Sequence, residues 1–205
     1  MHPELAVFVR DVALTDDIQV NVTALLSYHG CVTTVGHSMR VAAEAKRLAQ
    51  HWHVNPNRAE IAGWLHDISA IVPVDQRIWL AECLQLDILP EERTVPMIIH
   101  QKLSVSIAHD IFAIRDPAVL SAIGCHTTLK TDATMLDKVV FIADKLKWDQ
   151  VGDPPHLEAM LTAAEHSLDQ AAFCYLTDLW QRRANLPVLH PWALQAYCQL
   201  AGEMP

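Results

Sequence analysis

Apolar residues recur every three or four positions along nearly the whole chain, and no clear alternating apolar/polar run bounded by turn signals interrupts them. With 3.6 residues per turn, positions three and four apart share one helical face, so this spacing specifies amphipathic helices. It predicts helices over 4–13, 16–28, 33–51, 56–67, 75–85, 92–112, 117–126, 134–148, 155–183 and 190–202. Pro56, Pro73, Pro90, Pro117, Pro154, Pro155, Pro187 and Pro191 fall at or near the breaks, where a missing N–H costs little. The fold class expected is all-α. At 205 residues and 51% hydrophobic content, one domain with a sizeable core is the default over 1–205.

Charge narrows the partners. A formal net charge of -9, without any basic run, argues against a nucleic-acid polymer or an anionic membrane surface. No apolar stretch approaches the ~20 residues that cross a bilayer, and the first residues lack the basic-then-apolar order of a signal peptide, so a cytoplasmic protein is expected. Five scattered cysteines without a CxxC pair read as free thiols. Twelve histidines against six glycines direct attention to metal ligands on helices, and bound metal could draw an anionic substrate to an acidic chain.

The stretch "GWLHDISA", residues 63–70, sets His66 and Asp67 among Trp64, Leu65, Ile68 and Ala70. A carboxylate in apolar surroundings needs a cation, a hydrogen-bond network or a proton. Two readings stay open for the pair alone: a metal site, or a capped helix end with Asp67 on backbone and His66 in solvent. In 33–51, Val35, Met39, Ala42, Ala45 and Ala49 form an apolar stripe opposite Arg40, Glu44 and Arg47, with His37 at the flank in line with Val41 and Leu48. In 134–148, Leu136, Val139, Val140 and Ala143 form the buried stripe, while Lys138, Lys145 and Asp149 take the solvated side. Asp144 belongs to neither group and falls on the line of Phe141 and Trp148. His37, His66, Asp67 and Asp144 together offer two imidazoles and two carboxylates, a set suited to Mn, Fe, Co, Ni, Zn or Mg and of the kind helix bundles assemble from facing helices.

The ordered quartet, in the contexts "HSMRVA", "GWLHDIS" and "FIADK", resembles the signature of the HD-domain metal-dependent phosphohydrolases. "MIIHQKLSVSIAHD", with His100, and "VLSAIGCHTTLKTD", with His126, resemble the YqeK-type subgroup, over roughly residues 30–155. The resemblance implies an HD-type helical bundle with the C-terminal helices of 155–205 packed on a metal-binding core. It implies two divalent metal ions, iron first, held by His37, His66, Asp67 and Asp144 on one side and His100 and His126 on the other, with Asp67 bridging. It also implies a metal-bound hydroxide as nucleophile and symmetrical hydrolysis of diadenosine tetraphosphate to two ADP.

Three positions depart from that pattern: Thr34 stands where the subgroup has Arg, Leu129 ends the His126-Thr127-Thr128 run in place of Gly, and Lys147-Trp148-Asp149-Gln150 replaces Glu-Pro-x-Arg. None is a ligand position, but arginines grip phosphate, so the departures bear on the substrate. Arg40, Lys102 and Lys130 are candidate replacements for phosphate binding, with Thr127 and Thr128 as hydrogen-bonding partners of phosphate or of a ligating imidazole. Lys145, beside Asp144, is the basic candidate for catalysis together with Asp67. His2, His29, His51, His53, His109, His156, His166 and His190 show no ligand pattern. Trp180, Trp192 and Tyr197 read as core or as a contact in a homodimer. Two alternatives remain: an HD phosphohydrolase of other nucleotides, and a metal-stapled helical module without catalysis. No Gly-Tyr-Pro segment follows the HD pair, which argues against the cyclic-dinucleotide phosphodiesterases.

Overall fold

Side-chain oxygens set where several of the helices begin. Asp17 accepts from the Val20 N–H, Asn55 from Asn57 and Arg58, Asp116 from Ala118, and Ser167 from Gln170, each cap worth about 1 kcal/mol. Thr134 and Asp137 cap each other reciprocally, Thr134 accepting from the Asp137 N–H at 3.2 Å and its own N–H donating to Asp137 Oδ2 at 2.8 Å. The computed structural model describes residues 1–147 and 156–202. Its helices are α1 (Pro3–Ala6), α2 (Ile18–Tyr28), α3 (Val32–His51), α4 (Pro56–Leu65), α5 (Arg77–Cys83), α6 (Pro90–Thr94), α7 (His100–Asp110), α8 (Pro117–Gly124), α9 (Met135–Leu146), α10 (Leu157–Ala164), α11 (Leu168–Gln181) and α12 (Pro191–Leu200). Short 3-10 turns cover Ile68–Ile71, Val74–Gln76 and Arg183–Asn185. Among the described residues there is no strand, and no helix long and apolar enough to cross a membrane.

The centre is α3, packed on α4 and α9, with α4 also against α8 and α9, and α7 against α8 and the turn at Ile68–Ile71. Helices α10 and α11 cover the free side of α9, and α12 lies on α11. Buried apolar side chains from Leu5 to Ala196 join in one contiguous cluster. The α3–α4 crossing is so close that a Cβ added at Gly63 would lie 2.6 Å from the Ala42 Cα.

Several predicted boundaries shift for local reasons. The span 4–13 yields only Pro3–Ala6, and Phe8, Val9 and Val12 then follow in successive i→i+3 turns, where β-branched and aromatic side chains lose little freedom. The span 92–112 divides into α6 and α7, because Pro96 forces Val95 out of helical geometry, at φ -126° and ψ 84°. The span 155–183 divides at Ser167, which starts α11. The stripe expected on α3 is partly met and wider on one side: Ala42, Ala45 and Ala49 are buried, Met39 is 52% exposed, and the buried face extends to His37, Val41, Glu44 and Leu48. Glu44 is admitted because Arg47 and Lys147 meet its carboxylate at 2.8 Å and 2.9 Å. Lys145, projected to solvent, is 6% exposed, because α11 lays Tyr175 over that side of α9. Trp148, Asp149, Gln150, Pro154 and Pro155 lie outside the described residues.

Candidate metal centre

Five elements deliver six donors to one place. His37 comes from the first half of α3, and Asp144 from the last turn of α9. His66 is the residue on which α4 ends, and Asp67, at φ -108° and ψ 18°, turns the chain into the 3-10 segment. His100 opens α7, because the break at Pro96 starts that helix afresh, and His126 follows the end of α8. The pair at 66–67 is thus a helix end, as one of the two readings held, yet His66 is 0% exposed and Asp67 makes no cap hydrogen bond.

Asp67 divides the cluster between its two oxygens. Oδ2 lies 3.4 Å from His66 Nε2 and 3.8 Å from His37 Nε2, whereas Oδ1 lies 3.1 Å from His100 Nε2 and 3.3 Å from His126 Nε2. On the first side, His37 Nε2 is 3.1 Å from both His66 Nε2 and Asp144 Oδ1. On the second, His100 Nε2 and His126 Nε2 are 2.9 Å apart. Donors about 2.1 Å from a shared ion stand roughly 3.0–3.4 Å from one another, so these separations suit metal coordination. Three triads bring their ligand atoms within 4.8 Å of one another: His37, His66 and Asp67; His66, His126 and Asp144; and Asp67, His100 and His126.

The histidine tautomers agree. His66, His100 and His126 each place Nδ1 against the carbonyl three residues earlier, on Gly63, Met97 and Ile123. A carbonyl only accepts, so Nδ1 carries the proton and the neutral ring turns an Nε2 lone pair inward. The centre also calls for positive charge. Burial opposes an imidazolium at His66, but the Asp67 and Asp144 carboxylates overcome it and raise its pKa to about 10. Burial instead holds His126 down at about 4, helped by the neighbouring imidazoles and opposed by Asp67. For Asp67 and Asp144 burial pulls upward, and the facing histidines, with Lys145 beside Asp144, hold both carboxyls well below the usual range. The residues present fit divalent cations.

A cavity of about 430 Å³ opens over the cluster, walled further by Thr34, Ala70, Arg77, Met97, Thr127, Lys145 and Tyr175. Lys145 Nζ donates to Asp144 Oδ2 at 2.6 Å and to the His126 carbonyl at 3.2 Å, and lies 5.2 Å from both the Phe141 and Tyr175 ring centroids. Burial lowers its pKa, but Asp144, Tyr175 and Asp67 outweigh this and raise it, so the ammonium stays charged. The Thr127 hydroxyl sits 3.1 Å from His100 Nε2 and 3.0 Å from His126 Nε2.

The other expected substrate contacts are not on the cavity wall. Lys102 is drawn to Glu92 and the Asp87 carbonyl, each at 2.8 Å, and lies over Trp192. Lys130 reaches Ser121 at 2.6 Å and Asp137 at 3.5 Å, Thr128 turns to Gln101 and the Leu129 carbonyl, and Arg40 is exposed on α3. In each case a nearer partner claims the group, or the helix face carries it outward. Sequence reasoning passed over Gln101, whose Oε1 accepts from the Thr127 N–H at 3.2 Å and which bonds Thr128, fastening the His126 loop beside His100. It also passed over Arg77 and Tyr175, for which no local pattern gave a signal.

The HD domain model matches residues 34–149. An uncharacterized protein in the pepC 5' region of Lactococcus lactis subsp. cremoris is 42% identical over 151 residues, covering 74% of this chain and 76% of that protein. The symmetrical bis(5'-nucleosyl)-tetraphosphatase of Bacillus subtilis is 26% identical over 167 residues, covering 80% and 85%. A protein of the same description from Staphylococcus aureus is 31% identical over 113 residues, covering 54% and 57%. Among solved structures, a Clostridium acetobutylicum HD superfamily protein superposes with a TM-score of 0.81 at 23% identity, over 88% of this chain and 95% of that one, which establishes the likeness of fold.

Proposed function

This chain belongs to the HD-domain family, and from that premise we propose that it is a dinuclear metal phosphohydrolase that cleaves diadenosine tetraphosphate symmetrically into two ADP. The observation that carries the dinuclear reading is the division of Asp67, one oxygen toward His37 and His66 and the other toward His100 and His126. The activity named for the Bacillus and Staphylococcus relatives supports the tetraphosphate as substrate.

Two bound divalent cations would supply the Lewis acidity that activates water and offsets phosphoryl charge. The chain's own residues do the rest. The backbone carbonyls of Gly63, Met97 and Ile123 keep the Nδ1 proton on His66, His100 and His126, so that Nε2 is the nitrogen each ring offers to a metal, and the Nε2 proton that the carboxylates hold on His66 would be displaced on metal binding. Lys145 holds a fixed positive charge on the cavity wall, placed by Asp144 and the His126 carbonyl, and would offset the negative charge that grows on the departing ADP. Thr127 offers a hydroxyl at the same mouth. The water oxygen bonds to one inner phosphorus, and the central bridging oxygen leaves with the second ADP.

The test is product chromatography with iron- or manganese-loaded protein. ADP as sole product is expected; ATP and AMP together would replace symmetrical by asymmetrical cleavage. No turnover on any nucleotide, combined with a melting temperature that falls on chelation, would leave only a metal-stapled module.

A further inference from the structure

The cavity contains a buried cation that the metal cluster does not use. Arg77, the first residue of α5, is 6% exposed and lines the same cavity as Asp67, His100 and Lys145. Its Nε donates to the Val72 carbonyl at 3.3 Å and its Nη1 approaches the Met97 sulfur at 3.4 Å. A guanidinium carries five N–H donors, and a thioether is a weak acceptor. Among the described residues, no carboxylate oxygen lies within 4.0 Å of it, in contrast to Lys145, which Asp144 holds at 2.6 Å. The Asp67 carboxylate attracts it through space without touching it; burying a charge without a contacting anion is costly, and most of this one's donors are unspent.

We infer that Arg77 is the phosphate-gripping arginine of this site, closing its fork on the phosphate chain of a nucleotide polyphosphate whose attacked phosphorus lies over the cluster. The inference deepens the phosphohydrolase reading and rests on it. It also accounts for the chain's departure at Thr34, which lines the same cavity: the guanidinium arrives instead from α5. Of Arg40, Lys102, Lys130 and Lys145, only Lys145 lines the cavity, and it is committed to Asp144. A planar guanidinium binds two oxygens of a phosphate at once, which an ammonium does not. A cavity of about 430 Å³ falls in the size range of small-ligand sites, roughly 300–1,000 Å³, and so has room for more than the attacked phosphate.

The experiment compares wild type with Arg77→Met, which keeps the length and removes the charge, using metal-loaded protein. KM for diadenosine tetraphosphate, and Kd for ADP and for inorganic tripolyphosphate by calorimetry, should each rise roughly 10- to 100-fold. The melting temperature should hold or rise, since an unpaired buried charge is gone. Arg77→Lys should recover only part of the affinity. A fall in melting temperature with KM and Kd unchanged would make Arg77 a strut for Val72 and overturn the inference while leaving the reaction standing. Wild type that binds tripolyphosphate through Arg77 but turns over no nucleotide would remove the reaction and keep the anion site; wild type that does neither would remove both. If Arg77→Met does not fold, Arg77→Gln, whose amide can still donate to Val72, is read by the same measurements, and failure of both to fold would also overturn the inference.

Discussion

At the scale of single residues, the division of Asp67 between two groups of imidazoles separates its loss from that of any other donor. With two ions bound as proposed, Asp67→Ala should take bound metal to well below one ion per chain and abolish hydrolysis, whereas His66→Ala should impair one ion and leave the other measurable by elemental analysis. Gln101 makes a subtler case, because it touches no donor atom yet holds the backbone of Thr127 and the hydroxyl of Thr128. Gln101→Ala should weaken metal affinity about 10- to 100-fold while the chain stays folded, read by competition with a chelator. Four of the candidate donors, His37, His66, Asp67 and Asp144, were legible in the sequence from residue type and apolar context, and His100 and His126 only through the family resemblance. Gln101, Arg77 and Tyr175 were not, since their partners are brought close only by folding.

At the scale of elements, the α3–α4 crossing fixes the distance between His37 and the 66–67 pair. A methyl at Gly63 would meet Ala42 Cα at 2.6 Å and Ala42 N at 2.9 Å, backbone atoms that cannot rotate away. Gly63→Ala should therefore push the two helices apart and cost about 1–3 kcal/mol. It should lower the melting temperature by several degrees and weaken metal binding together, since His37 and His66 flank the crossing. The helix over 92–112 shows what periodicity misses. Apolar spacing runs across Pro96 without a fault, but the missing N–H and the restricted residue before it divide the segment, and the division places His100 at the start of α7.

At the scale of the whole molecule, a polar knot ties α6, α7 and α12. Glu92, 0% exposed, accepts from Lys102 at 2.8 Å and from the Leu89 N–H at 2.9 Å, and faces His190, which caps α12, at 3.4 Å. Burial raises its pKa, but these three partners prevail and hold it below the ordinary 4.5. The unfolded chain therefore binds this proton more readily than the folded one. The carboxylate's contribution is complete above about pH 4.5 and is lost as pH falls through the lower folded value. Glu92→Gln should destabilise the protein by about 1.5–3 kcal/mol at pH 7, and the gap from wild type should close below pH 4.5 in denaturant titrations. Metal held as proposed would act on the same scale by joining α3, α4, α7, α8 and α9. At a free concentration a thousandfold above Kd it should add about 4 kcal/mol, so chelation should lower the melting temperature by roughly 10 °C.

The sequence by itself determined the helical class, several of the helix starts and the order of the six candidate donors, because periodicity, proline breaks and residue type are local properties. Tertiary structure alone decided which basic groups reach the cavity. Lys102 and Lys130 are near donors in sequence but are claimed by Glu92 and Asp137, and Lys145 turned from a projected solvent face into the wall once α11 covered it. Arg77, with no donor as a sequence neighbour, is carried into the cavity by the start of α5. Long charged side chains go to the nearest compensating charge in space, and that distance is not written in the spacing along the chain.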